Sequence, residues 1–205
     1  MDLGVSSHQL DEKERGFTYR FPSELDMRMN RQAELDARKV LATYTQDELQ
    51  AMFSAYGEVR NARTLARAIV EERKNQPLTE SEQFNVLLDR LSVGPKLKYY
   101  SQVYQAIRIE VNDEMGVLQE ALEQAVDLLH PEGRLVVISY HSLEDRMVKK
   151  LIKTGNVEGR QIKDDYGRIH RPLRAVNKQL ILPSEEEMKR NPRARSAKLR
   201  IASKV

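Results

Sequence analysis

The sequence predicts an α/β fold, an open sheet with a block of helices set into it. Three observations carry this. Leu135–Ile138 is a short apolar, β-branched run that follows the Pro131-Glu132-Gly133 turn, the pattern of a strand buried on both faces. It opens directly into a helix over Leu143–Lys150, with Ser142 as N-cap and Glu144 and Asp145 in the first turn. Residues 34–94 show only helical periodicity.

The strand-to-helix step locates the chemistry. Ligands of open α/β sheets lie outside the carboxyl ends of the strands. His141, Ser142 and Glu144 stand at such an end. The plainer reading of the isolated motif is that His141 and Ser142 only cap the helix. A hydrolase built on His141, Ser142 and Asp145 is a weaker reading, because a capped first turn does not normally converge neighbours into a triad.

Before the helical block, Met1–Leu10 reads as the polar end of a strand: Asp2, a glycine turn, then Ser6 and Ser7. Arg15–Met29 follows, with Phe17, Tyr19 and Phe21 alternating with Thr18 and Arg20. Such aromatics stack on bases or, more commonly, anchor a loop on a core. In the block itself, Thr45-x-x-Glu48 and Thr79-x-x-Glu82 are capping boxes, each followed by an apolar helical stripe. Arg60, Arg63 and Arg67 share one helix face, which a solvated surface explains best. Lys96–Tyr100 reads as a linker and Ser101–Leu129 as one long helix, with Gln105, Arg108 and Asn112 on a polar face. Beyond Lys150, Val176–Leu182 and the alternating segment Ala197–Ile201 are predicted strands.

Composition narrows the function. There is no Cys, and the four histidines have no ligand spacing, so no metal site is expected. No apolar run reaches membrane-spanning length and no signal peptide is visible, so a cytoplasmic protein without a membrane partner is expected. Residues 146–205 hold 17 Lys and Arg against 6 Asp and Glu, while the rest of the chain is net acidic. A basic third of this kind suits a polyanion. Arg193 and Arg195 stand in a turn before the last strand, a position that suits contact with phosphate or carboxylate.

Six stretches in order, DLGVSSHQLD, RGFTY…LDMRM, YGEVRNARTLARAIVEER, YQAIRIEVNDE, ISYHSLEDR and NPRARSAKLR, resemble the bacterial 16S rRNA (cytosine-N4)-methyltransferase family, the RsmH/MraW type. The resemblance runs essentially end to end. It implies a Rossmann-like class I methyltransferase with an inserted all-helical domain, using S-adenosyl-L-methionine to methylate a cytidine in the decoding centre of the small ribosomal subunit. On this reading residues 1–10 end a central strand, 11–100 form the insert, and 101–205 return to the methyltransferase domain. Ser6, Ser7, His141 and Ser142 would then face the reacting base, and Arg108, Arg193, Arg195 and Lys198 the RNA. Two cofactor contacts of the family carry over by motif, Asp2 and Gln9. Its glycine-rich turn, ribose carboxylate and adenine-stacking aromatic have no counterpart here, so the chain reads as the C-terminal two-thirds of the family. It is expected to bind the cofactor weakly or not at all by itself, and not to methylate RNA unaided. The strand at Leu135–Ile138 would then keep an open edge through which a homodimer could form. A non-enzymatic RNA-binding remnant of the family is the alternative.

Overall fold

A computed structural model of the chain describes every residue except Lys178. It divides into two compact units, Val5–Glu114 and Met1–Gly4 together with Met115–Val205.

The first unit is helical. It comprises α1 (Ser7–Asp11), α2 (Ala37–Thr43), α3 (Gln46–Gly57), α4 (Ala62–Asn75), α5 (Ser81–Leu91) and α6 (Lys96–Asn112). The Thr45 capping box starts α3 as predicted, with Glu48 accepting from the Thr45 N–H at 2.7 Å. The second box moves by one residue. Thr79 and Glu80 are drawn into pairing with the preceding loop: Thr79 O accepts from Leu25 N, and Glu80 bridges Glu24. The helix therefore begins at Ser81, whose hydroxyl donates to Phe21 O and accepts from Ser23 N. Leu25, Val40, Leu49, Phe53, Leu65 and Ile107 are fully buried in the shared core.

Lys96–Tyr100 is not a linker. It forms the first turn of α6, because Tyr99 and Tyr100 find buried sites and packing overrides the local polarity. Nor is Ser101–Leu129 one helix. Asp113 takes a left-handed conformation (φ 46°), which ends α6, and α7 (Glu114–Leu128) starts afresh. The apparent single stripe is thus two: Val111 belongs to the helical core, and Leu118, Leu122 and Val126 to the core of the second unit.

The polar face of α6 is fastening. Asn112 donates to Met27 O and accepts from Met29 N, and Gln105 donates to Tyr56 O. The Arg15–Met29 loop is clamped there. Its Gly16 (φ 67°) passes so close to the Glu24 carbonyl that a Cβ would collide with it. Two of its three aromatics act as anchors, while Phe21 is 40% exposed. Phe17 is buried, and Tyr19 packs edge-on against Tyr100 and Tyr104 at 5.5 Å.

The second unit holds α7, β1 (Arg134–Ser139), α8 (Ser142–Thr154), β2 (Leu173–Ala175), α9 (Glu185–Arg190) and β3 (Lys198–Lys204). β3 lies between β1 and β2 and runs antiparallel to both. Met1–Leu3 lies parallel to β1: Ile138 N donates to Met1 O and Leu3 N to Ile138 O, both at 3.0 Å. Leu135 and Val137 pack against Leu118, Leu122, Val148 and Leu151. The expectation of burial on both faces fails. Val136, on the opposite face, is 41% exposed, because these helices cover one side of the sheet only. The predicted strand at Val176–Leu182 also fails. The chain leaves β3 after Val176 and bridges it again at Ile181, while the Asn177 side chain bonds Gln179 O and competes with the ladder. Lys178, within that predicted strand, lies outside the described residues. No described helix is long and apolar enough to cross a membrane.

Candidate active site

The parallel pairing of Met1–Leu3 with β1 sets two carboxyl ends side by side. Asp2 is at one, and Tyr140 and His141 are at the other. Tyr140 donates its hydroxyl to Asp2 Oδ1 at 3.0 Å. Burial, then the bond to Asp2, pushes the Tyr140 phenol up, so it stays a donor. Asp2 is exposed, with acceptor positions to spare beyond the tyrosine. Gly4 (φ 82°) turns the chain away beside Tyr140, and a Cβ there would lie 3.6 Å from the Tyr140 ring.

The turn after β1 is held by one carboxylate. Glu144 Oε2 accepts from Tyr140 N at 2.8 Å and from His141 N at 3.2 Å. In return, Nδ1 of His141 accepts from Glu144 N at 3.4 Å. This is a capping box with His141, not Ser142, as the cap, and Ser142 becomes the first helical residue. The sequence reading placed the cap one residue late because histidine is an uncommon N-cap. Glu144 is 2% exposed. Burial raises its carboxyl, but the His141 side chain and the two N–H groups outweigh this and leave it below the usual carboxylate range.

His141 is hydrogen-bonded through one nitrogen. Nδ1 faces the Glu144 N–H, and Nε2 lies 3.1 Å from Glu144 Oε1, close but poorly directed for a hydrogen bond. The geometry makes it a cap that orients the turn. Asp145 cannot serve a triad either, since both its oxygens are taken by Arg200 of β3.

The other predicted residues lie apart from this turn in the chain. Ser6 and Gln9 cap α1 reciprocally: Ser6 Oγ accepts from Gln9 N, and Gln9 Oε1 from Ser6 N. Ser7 is exposed at the first helical position. Arg193 and Arg195 are exposed in the 3₁₀ turn Pro192–Ser196, and Lys198 is half-buried at the start of β3. The Arg108 guanidinium makes a double hydrogen bond to Glu114 at 2.7 and 3.0 Å, with both side chains largely buried. Sequence reasoning missed Tyr140 and Arg200 as partners, because both contacts join residues more than 50 apart.

Comparison with known proteins decides the lineage. The MraW methylase family matches residues 1–205. The chain belongs to this family. It is 54% identical over 205 residues to the ribosomal RNA small subunit methyltransferase H of Christiangramia forsetii, covering all of this chain and 68% of that protein. The proteins of the same name from Bacteroides fragilis and Flavobacterium johnsoniae are 50% and 51% identical, over 99% and 100% of this chain and 67% and 68% of their own lengths.

Proposed function

We propose that this MraW methylase methylates the N4 amino group of a cytidine in 16S rRNA, with S-adenosyl-L-methionine as methyl donor, acting in the cytoplasm on the small ribosomal subunit. The observation that carries the site assignment is the Tyr140–Asp2 hydrogen bond across the paired strand ends. It presets an exposed carboxylate where a class I methyltransferase places its cofactor and substrate. On this reading the helical unit is a domain inserted into a Rossmann-like sheet.

The residues present suit the cofactor's polar groups. The spare acceptor positions of Asp2 match an ammonium or hydroxyl donor. The Gln9 carbonyl is used in its cap, which leaves the amide NH₂ to donate. When bound, the cofactor supplies an electrophilic methyl group on a sulfonium.

The remaining work falls to the chain. The cytosine amino group is a weak nucleophile, because its lone pair is delocalised into the ring. It must be held in line with the methyl, and its N–H groups must meet acceptors that take up the developing positive charge. Backbone carbonyls of the turn after Asp2 and the hydroxyls of Ser6 and Ser7 are the acceptors in this reading. Ser142 contributes a further hydroxyl. His141 keeps the Tyr140–Ser142 turn in place as a positioning residue. A cytidine inside folded RNA must leave its stack to reach these groups, and Arg193, Arg195 and Lys198 would hold the flanking phosphates.

The test is a chimera in which this chain replaces the matching two-thirds of the Christiangramia forsetii relative. Incubated with the cofactor and unmethylated small subunits, it should yield N4-methylcytidine on nucleoside mass spectrometry. A chimera that binds the cofactor yet leaves the RNA unmodified would overturn the proposal.

A further inference from the structure

Between α8 and β2 the chain throws out a basic arm. At its base, Asn156 Oδ1 accepts from the backbone N–H of Gly159 and Arg160 at 2.9 and 3.0 Å. Its outer part is a narrow hairpin. Lys163 bridges Ile169 antiparallel, Asp164 N donates to Arg168 O, and His170 N donates to Ile162 O, both at 2.9 Å. The tip is built locally. Asp164 Oδ1 accepts from Tyr166 N at 3.0 Å and from Arg168 N at 2.7 Å, and Gly167 (φ 77°) completes the turn.

This turn displays a tyrosine outward. Tyr166 is 87% exposed, and Ile162 below it is 58% exposed. Arg160, Lys163, Arg168, Arg171 and Arg174 lie along the same stretch of chain, all exposed and without an ion-pair partner among the described residues. Against these five cations stand three acids, Glu158, exposed at the base of the arm, Asp164, spent on the turn, and Asp165, exposed at the tip. A large aromatic held out in water by a hydrogen-bonded turn adds no burial to the fold. A ring flanked by guanidinium and ammonium groups matches a base flanked by phosphates.

We propose that the Lys163–Ile169 hairpin is a single-stranded RNA contact, in which Tyr166 stacks on one unpaired base and Lys163 and Arg168 meet the adjoining phosphates. Duplex RNA does not fit. Its bases are already stacked on both faces, and its major groove is too deep and narrow to expose them. A flat ring with cations on either side serves any unpaired base, since every base has a π-face. The inference rests on the rRNA reading above and adds to it a strand preference and a named contact.

The test measures anisotropy of labelled RNA of about 12 nucleotides, within the usual range of single-strand site sizes, as a single strand and as a duplex, against the full chain and its variants. Stacking on one base predicts that Tyr166→Ala weakens single-strand binding by about 5- to 100-fold, leaves duplex binding and the salt slope unchanged, and is rescued by Tyr166→Phe. Lys163→Glu with Arg168→Glu should flatten the salt dependence. Equal binding by Tyr166→Ala and the parent chain, or an equal loss on the duplex, overturns the hairpin while leaving the rRNA reading intact. A parent chain that binds neither RNA overturns both.

Discussion

Arg200 of β3 grips Asp145 of α8 through two parallel hydrogen bonds of 2.7 and 3.0 Å, tying the first turn of the helix to the middle of the sheet. Both side chains are mostly buried. Arginine suits this place because its planar fork meets both carboxylate oxygens at once. Arg200→Ala should cost about 1.5–3 kcal/mol, the range for hydrogen bonds to charged groups. Arg200→Lys should recover only part of it. Urea denaturation with an Asp145→Asn, Arg200→Ala double-mutant cycle measures the coupling. Full recovery by lysine would show that a point charge suffices.

Glu144 makes the turn after β1 sensitive to acid. Its folded-state pKa lies below the unfolded one, so its contribution is complete above the unfolded value, about 4.3 for glutamate, and is lost as pH falls through the folded value. Glu144→Gln should therefore lower stability at neutral pH by about 1–3 kcal/mol, and the deficit should shrink towards pH 3. His141→Ala should lower stability too, by about 1 kcal/mol, as a lost N-cap does. Thermal melts across pH read both. A deficit in Glu144→Gln that stays constant down to acid pH would refute the assignment.

At Gly16 a side chain meets backbone, which cannot move aside as a flexible side-chain end would. Gly16→Ala should displace the Arg15–Met29 loop and lower stability by about 1–3 kcal/mol, combining left-handed strain with the clash. Gly94→Ala is the control. It shares the positive φ, 80°, but has nothing near its would-be Cβ, so strain alone should remain. Equal losses in the two variants would remove the clash from the account.

Arg193 and Arg195 follow Pro192 in the turn before β3, where their side chains are exposed. Reversing both to Glu should weaken RNA binding and reduce the slope of log affinity against log salt by about 2, one for each lost phosphate contact. Anisotropy titrations at several salt concentrations decide it, and an unchanged slope would exclude them as phosphate contacts.

Local signals were legible and long-range ones were not. Thr45-x-x-Glu48 marks a real helix start, and the Leu135–Ile138 strand opening into a capped helix stands where its pattern puts it. Asp2 and His141 both lie at carboxyl ends, but their neighbourhood could not be read, because it depends on backbone pairing between Met1–Leu3 and β1. The partner of Arg108 was hidden for the same reason. The spacing of Arg108 with Gln105 and Asn112 describes a face but not what that face meets, and Glu114 lies beyond the turn that Asp113 makes. The buried tyrosines of α6 were hidden by their polar neighbours Lys96 and Lys98, because tertiary packing outweighs local composition.

Asp113 interrupts more than a hydrogen-bond ladder. Each residue added to an α-helix turns everything beyond it by about 100°, so in one unbroken rod an insertion near Tyr104 would swing Leu118, Leu122 and Val126 out of the core that Leu135 and Val137 share. α6 and α7 are not one rod: Val111 belongs to the core of Val5–Glu114, and Leu118, Leu122 and Val126 to the other, so the apolar positions on each side of Asp113 have to match only their own core.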